Sequence, residues 1–263
     1  MADRGKTSPN LTADYFFSLD FSKLKISLED MFKGGVHFGH HKSRKNPCAS
    51  EYIFTTRNGI NIIDLERTKE KLEKAMQFLT EIVFEGQEIL FVGTKKQAKS
   101  LVRSAAKACG MPYVVERWLG GTFSNFSIIS TRTRYLREGL EKMKKGEYAK
   151  YTKFEQMKKA EELEGLERKM GGIKDMLKFP GAVFVTSLNE DVLAVKESKA
   201  KGIPIVALVD TNVDPAGIDY PIPANEDAVS SLRLMLSYIV KAVIAGKDKR
   251  LATEEKNNKK EEE

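Results

Sequence analysis

The sequence predicts an α/β protein: a mostly parallel sheet flanked by helices in Rossmann- or flavodoxin-like layers, with an antiparallel helical hairpin (a coiled coil) inserted. Three observations carry that expectation. Continuous apolar runs at Glu88–Val92 (EILFV), Ala182–Thr186 (AVFVT) and Ile203–Val209 (IPIVALV) lack polar alternation, as strands buried on both faces do. Helical stretches separate the runs, so consecutive strands lie parallel through right-handed crossovers. From Arg132 to Lys178 the strand signal vanishes, and apolar residues recur at steps of three or four among dense charge.

Taken in order, residues 1–23 mix proline, serine, asparagine and charge around Tyr15, Phe16 and Phe17. They read as a mostly disordered extension with a short sticky segment. Ile26, Leu28, Met31 and Phe32 outline a short helix stopped by Gly34-Gly35. A histidine-rich loop, Val36–His41, leads to basic Lys42, Arg44 and Lys45 and then Asn46-Pro47. Asn58-Gly59, between Tyr52-Ile53-Phe54 and Ile60–Ile63, predicts a hairpin because both residues tolerate positive φ. A helix follows from about Leu65 to Phe84, with Leu72, Ala75, Met76 and Leu79 on one face.

After the Glu88–Val92 strand come Gly93-Thr94, a helix from about Lys96 to Cys109, and a strand at Tyr113–Val115. Within the insertion, Leu136, Leu140 and Met143 form one stripe. Phe154, Met157, Ala160, Leu163, Leu166, Met170, Ile173 and Leu177 form the other, with Gly146-Glu147-Tyr148 between them. Narrow seams on charged helices predict a projecting hairpin; two helices lying flat on the sheet are the alternative. A helix over Glu190–Lys201 joins the last two predicted strands. The division is thus residues 24–131 with 179–246 as one α/β domain, 132–178 as the insertion, and 247–263 as a charged disordered tail.

Composition narrows the function. With 41% apolar residues among 263, a sizeable core is available. No apolar stretch in the sequence approaches the ~18–20 residues of a membrane span, and the start MADRGKTSPN lacks a secretory pattern. A cytoplasmic protein with no membrane partner is the expectation, and Cys48 and Cys109 read as free thiols. The net charge of +7 resides on residues 1–246, because the tail from Lys247 carries six basic and six acidic residues. A basic folded part favours a polyanionic partner.

Two constellations could engage one. The strand–glycine–helix junction Val92-Gly93-Thr94-Lys95-Lys96 places helix N–H groups and two lysines together, which suits a phosphate of a nucleotide or of an RNA backbone. It is not a P-loop, and a tight connection with solvated lysines is the plain alternative. The loop from Glu116 to Phe126 sets Arg117 beside Trp118, the only tryptophan, before Gly120-Gly121. Arg117 suits phosphate contact, whereas Trp118 reads as buried. His37, His40 and His41, with Asp210 at the end of the last strand, supply too few ligands for a metal by spacing; imidazoles capping glycine turns are the favoured reading, and no cofactor or metal is expected. No nucleophile motif occurs. Asp210-Thr211-Asn212 with Asp214-Pro215 follows a strand at the rim where α/β sheets bind ligands, which keeps a nucleotide- or sugar-phosphate-binding enzyme open.

Several blocks in register resemble one family. Gly35–His40, Asn46-Pro47, Tyr52–Phe54, Arg57–Leu65, Phe91–Lys96, Arg117–Gly121, Gly171–Met176, Gly202–Pro204 and Val209–Asn212 are similar to bacterial small-subunit ribosomal protein two over roughly residues 26–245. The resemblance implies a structural constituent of the small ribosomal subunit, acting in translation and not catalytic. Its partners would be 16S-type rRNA and other small-subunit ribosomal proteins, with no small-molecule substrate. It further implies a part in recruiting the large mRNA-binding ribosomal protein. The sequence departs from the family at Lys45 and at Cys48-Ala49-Ser50-Glu51, where an aromatic and a basic, methionine-containing stretch are usual. The expected RNA contacts are Lys42, Arg44, Lys45, Arg57, Lys95, Lys96 and Arg117. A coiled-coil adaptor acting through 132–178 is the remaining alternative.

Overall fold

The computed structural model describes residues 15–261. Helices α1 (Tyr15–Ser18) and α2 (Leu28–Lys33) lead into strands β1 (Phe38–His41), β2 (Ile53–Arg57) and β3 (Ile60–Ile63), an antiparallel sheet in the order β1-β3-β2. The predicted hairpin lies between β2 and β3, with Asn58 at φ 49° and Gly59 at φ 79°, the primed turn that matches strand twist. β1 replaces the expected loop; its histidines and glycine hide the fact that it pairs with β3.

Next come α3 (Leu65–Phe84), β4 (Ile89–Val92), α4 (Lys99–Ala108), β5 (Tyr113–Val114), α5 (Phe126–Lys144) and α6 (Lys153–Met170). They are followed by β6 (Ala182–Val185), α7 (Val192–Ala200), β7 (Ile205–Val209), β8 (Tyr220–Pro223) and α8 (Val229–Glu261). The five strands β5-β4-β6-β7-β8 form an all-parallel sheet, so the α/β class holds. Its central strands are wholly buried, as their unbroken apolar runs require. β8 escapes the sequence reading because Pro221 and Pro223 argue against a strand; an edge position tolerates them.

Side-chain alternation divides the core in two. Ile89, Phe91, Ala182, Phe184, Val206 and Leu208 meet α3, α4 and α8 on one face. Leu90, Val92, Val183, Val185, Ile205 and Ala207 meet Trp118, Phe123 and the bases of α5 and α6 on the other. α8 is long and apolar enough to cross a bilayer, contrary to the sequence reading; but Leu232, Met235, Leu236, Ile239, Val240 and Val243 are buried, so its apolar character serves the core.

At the termini the structure differs from expectation. Residues 1–14 of the predicted extension lie outside the described residues. From Tyr15 the chain is tied down: Phe16 is buried in the core and Lys241 Nζ donates to the Leu24 carbonyl. The tail expected to be disordered continues α8 to Glu261. Its alanine, lysine and glutamate are good helix formers, and Arg250 pairs with Glu254 one turn on at 2.7 Å.

The segment expected to be an insertion, residues 132–178, contains most of α5 and the whole of α6. Leu136, Leu163, Met170 and Ile173 join the sheet's second core, with Leu163 over Gly139. Farther out the seam opens. From Glu141 to Lys158 only Tyr148 and Gln156 are even partly buried, and Phe154 and Met157 are 60% and 52% exposed. α5 begins at Phe126, before the expected boundary at residue 132, and its first turns pack in the domain core.

Candidate nucleic-acid interface

The carboxyl end of the parallel sheet carries the site. β1 crosses it and is fastened there: His40 N–H donates to Thr211 Oγ1 and Asn46 N–H to the Thr211 carbonyl, both at 2.9 Å. Gly39 is required at this crossing, since a Cβ there would lie 2.5 Å from the Thr211 methyl. The following turn holds Lys42 and Arg44. His41 Nδ1 accepts the Ser43 N–H, and Lys42 N–H donates to the Gly59 carbonyl at 2.7 Å. The basic stretch is therefore stitched to the hairpin turn next to Arg57. Lys42, Arg44, Lys45 and Arg57 are all exposed, and among the described residues none forms an ion pair.

Lys96 follows β4 and Arg117 follows β5 at the same end of the sheet, both exposed. The loop bearing Arg117 is held by one carboxylate. Glu197 accepts N–H bonds from Gly121 (2.7 Å), Phe123 (2.8 Å), Ser124 (3.2 Å) and Trp118 Nε1 (3.3 Å). Burial works against its charge, and the backbone donors outweigh burial, so its pKa is lowered. Trp118 is buried, as its sequence setting implies.

Lys95 corrects the expectation. Its ammonium sits 2.7 Å from Asp227 and 3.0 Å from Glu226, so it is occupied within the protein and not presented to a phosphate. The phosphate cradle expected here is likewise filled. α4 starts at Lys99, after the two lysines, and the Thr94 N–H points to the Asp191 carboxylate at 3.4 Å. Asp191 is buried with one oxygen unpartnered, and burial raises its pKa to about 6.

His40 also departs from the glycine-capping role. Nδ1 lies 3.1 Å from buried Asp210 and Nε2 3.3 Å from Asp227, so both nitrogens face carboxylates. The Asp210 hydrogen bond raises its pKa, burial opposes, and the charges of Asp210, Asp227 and Glu226 add to the rise. One donor atom each from His40, Asp210 and Asp227 falls within 4.8 Å of the others, a donor set a divalent cation could use. A proton on the imidazole satisfies the same geometry.

Among the described residues the switch-point crevice is not open. The strand order switches between β4 and β6, where such sheets bind ligands, but the Asp191 carboxylate bonded to Thr94 and the Lys95 ion pairs occupy that crevice. Clefts of about 400 and 330 Å³ lie at the opposite end, beside Glu88 and Gly110.

Sequence reasoning misses two features. Glu226 and Asp227 follow a strand that the sequence does not announce, so nothing places them opposite Lys95. An aromatic face also escapes: Phe32, Phe38 and Phe54 are 63%, 48% and 75% exposed around a cleft of about 660 Å³. His37 stacks between Phe32 and Phe38, with centroids 4.4 and 4.0 Å away.

The family model described as Ribosomal protein S2 matches residues 31–246. The small ribosomal subunit protein uS2 of Roseiflexus sp. (strain RS-1) is 47% identical over 225 residues, 86% of each chain. Its counterpart from Chloroflexus aggregans (strain MD-66 / DSM 9485) is 45% identical over 230 residues, 88% of this chain and 97% of the relative. The crevice is filled, the rim is studded with cations, and these matches span most of the sequence: the chain belongs to the ribosomal protein S2 family, a structural and non-enzymatic component of the small ribosomal subunit.

Proposed function

We propose that the carboxyl end of the sheet is the face this protein lays on small-subunit rRNA in the cytoplasm. The observation that carries the reading is the stitching of Lys42, Arg44 and Lys45 against the Arg57 turn, four cations with no internal carboxylate partner among the described residues. Lys96 and Arg117 extend the same edge. Lys95 serves another purpose. With Glu226, Asp227 and His40 it holds β1 in place, so the cations beyond β1 are presented on a rigid support. Folded RNA is read by shape and backbone, which asks for fixed cations more than for base-edge donors. Lys42→Glu with Lys45→Glu should lower incorporation into small subunits on sucrose gradients without changing the melting temperature. Incorporation unchanged even at raised salt would remove this edge from the interface.

The aromatic face supports a second contact, with a protein partner. Phe32, Phe38 and Phe54 offer a flat apolar surface that RNA phosphates would not use, and the large mRNA-binding ribosomal protein is the proposed occupant. Phe38→Ala with Phe54→Ala should deplete that protein from purified subunits while this chain stays bound. Equal amounts of it on both kinds of subunit would end the assignment.

A further inference from the structure

We infer that the amino end of the parallel sheet is a docking surface for a basic protein segment, which sets lysine or arginine against carboxylates and an apolar residue against exposed leucine and phenylalanine. The occupant is a neighbouring protein of the small subunit. The inference rests on the chain's place in that subunit and not on the RNA face proposed above, which lies at the other end of the sheet. A cleft of about 740 Å³ opens here between the end of α3 and the chain that enters β6. Glu85, Glu88 and Asp175 line it with one cation, Lys178, and Leu177 and Phe179 form its apolar wall.

The negative charge of this cleft is left uncompensated. Among the described residues Glu85, Glu88 and Asp175 form no ion pair, and most cations on the two neighbouring clefts are used internally. Lys174 pairs with Glu167 at 3.2 Å and Arg250 with Glu254 at 2.7 Å. Lys247 Nζ donates to the Cys109 carbonyl at 2.6 Å, which leaves Lys107 without a carboxylate partner among the described residues. Burial raises the Glu88 pKa, the Lys247 charge opposes, and the Asp175 charge adds to the rise. A cation seated between Glu88 and Asp175 would relieve that repulsion.

The apolar wall is open and already in place. Leu177 is 70% exposed and Phe179 46%. The Phe179 ring is braced from behind, with its centroid 4.6 Å from that of Phe126 and 5.9 Å from that of Phe123. The Gly181 N–H donates to the Glu88 carbonyl at 2.8 Å, and a Cβ on Gly181 would strike Gln87, so the two sides of the cleft are tied together. A preformed surface needs little reordering when a partner arrives. An RNA phosphate would meet three carboxylates here, and a purely apolar partner would strip water from them without replacing it. A guanidinium or ammonium pairs with the carboxylates while its stem covers the leucine and the ring, so a basic segment fits both halves of the cleft.

The test uses the full-length chain with Lys178 replaced by a diazirine-bearing lysine analogue, assembled into small subunits and irradiated, with cross-linked peptides identified by mass spectrometry. The expected product joins this chain to a lysine- or arginine-bearing segment of one other subunit protein. Glu85→Gln, Glu88→Gln and Asp175→Asn combined should lower its yield per incorporated chain about fivefold, the effect of a few exposed charge pairs, and raised KCl should shrink that difference. The Glu85→Asp, Glu88→Asp, Asp175→Glu triple should keep the yield, and Leu177→Ser should lower it at low and high salt alike. A cross-link to rRNA, to a second copy of this chain or to a segment without basic residues overturns the inference, and so does the absence of any cross-link. A yield untouched by the neutralised triple, at an unchanged melting temperature, overturns it as well. Incorporation of the Lys42→Glu, Lys45→Glu chain reports on the RNA face alone, so the two readings fail independently.

Discussion

At the scale of single residues, the rim depends on how two acids and one imidazole are held. Glu197 gathers four N–H donors onto one carboxylate, fixing the loop that carries Arg117. An amide cannot accept at both ends, so Glu197→Gln should cost about 3 kcal/mol in urea unfolding. It should also shift the emission of Trp118, the only tryptophan, which lies against the same carboxylate. Asp191 and His40 make stability depend on pH in the same direction. For Asp191 the folded state favours the neutral acid, so its relative stability is greatest below 3.8 and is lost as pH rises through about 6. For His40 the folded pKa lies above 6.5; its contribution is complete below that value and is lost as pH rises through the folded pKa. Melting temperature should therefore fall from mildly acidic toward alkaline pH. Asp191→Asn should flatten the profile between about 4 and 6 and stabilise the protein at pH 7 by about 2 kcal/mol, and His40→Gln should flatten it above 6.5. A profile unchanged by either substitution would contradict this account.

At the scale of elements, legibility follows the amount of local signal. The Leu65–Phe84 helix and the Asn58-Gly59 hairpin can be read because amphipathic spacing and turn chemistry are local facts. β1 and β8 cannot, since each owes its conformation to a neighbour: β1 to β3 and Thr211, β8 to the sheet edge beside β7. The site inherits the same limit. Lys42, Arg44 and Lys45 are legible as a basic stretch because they are neighbours in sequence, whereas Arg57 comes beside them only through the backbone bond from Lys42 to Gly59. Lys95 is misread because its partners, Glu226 and Asp227, lie about half the chain away. The hairpin shows a subtler failure, where spacing identifies the right helices but not where their seam closes. That difference is measurable. Leu163→Ala should cost about 2–4 kcal/mol in urea unfolding, as for a fully buried leucine, while Met157→Ala should change stability by less than about 0.5 kcal/mol. Equal costs would mean the seam is packed along its whole length.

For the whole molecule, the packed cores and the exposed cationic surface reside in different places. The two cores lie against the faces of the parallel sheet, and their outermost members on the insertion are Leu136 and Leu163. Beyond these, the hairpin contributes half-buried Leu140 and Tyr148 at the edge of that core and then exposed lysines and rings. Its outer part is accordingly dispensable for folding, unlike α8, whose buried face covers one side of the sheet. Replacing residues 142–159 with a short glycine–serine linker should leave the melting temperature within about 3 °C, since roughly 0.5 kcal/mol is at stake in a domain of this size. Truncating α8 before Leu236 should abolish cooperative unfolding, because Leu236, Tyr238, Ile239, Val240 and Val243 would be lost from the core together. A linker variant that melts far below the parent would show that the hairpin end braces the fold, and its lysines and rings would then need a structural explanation before a binding one.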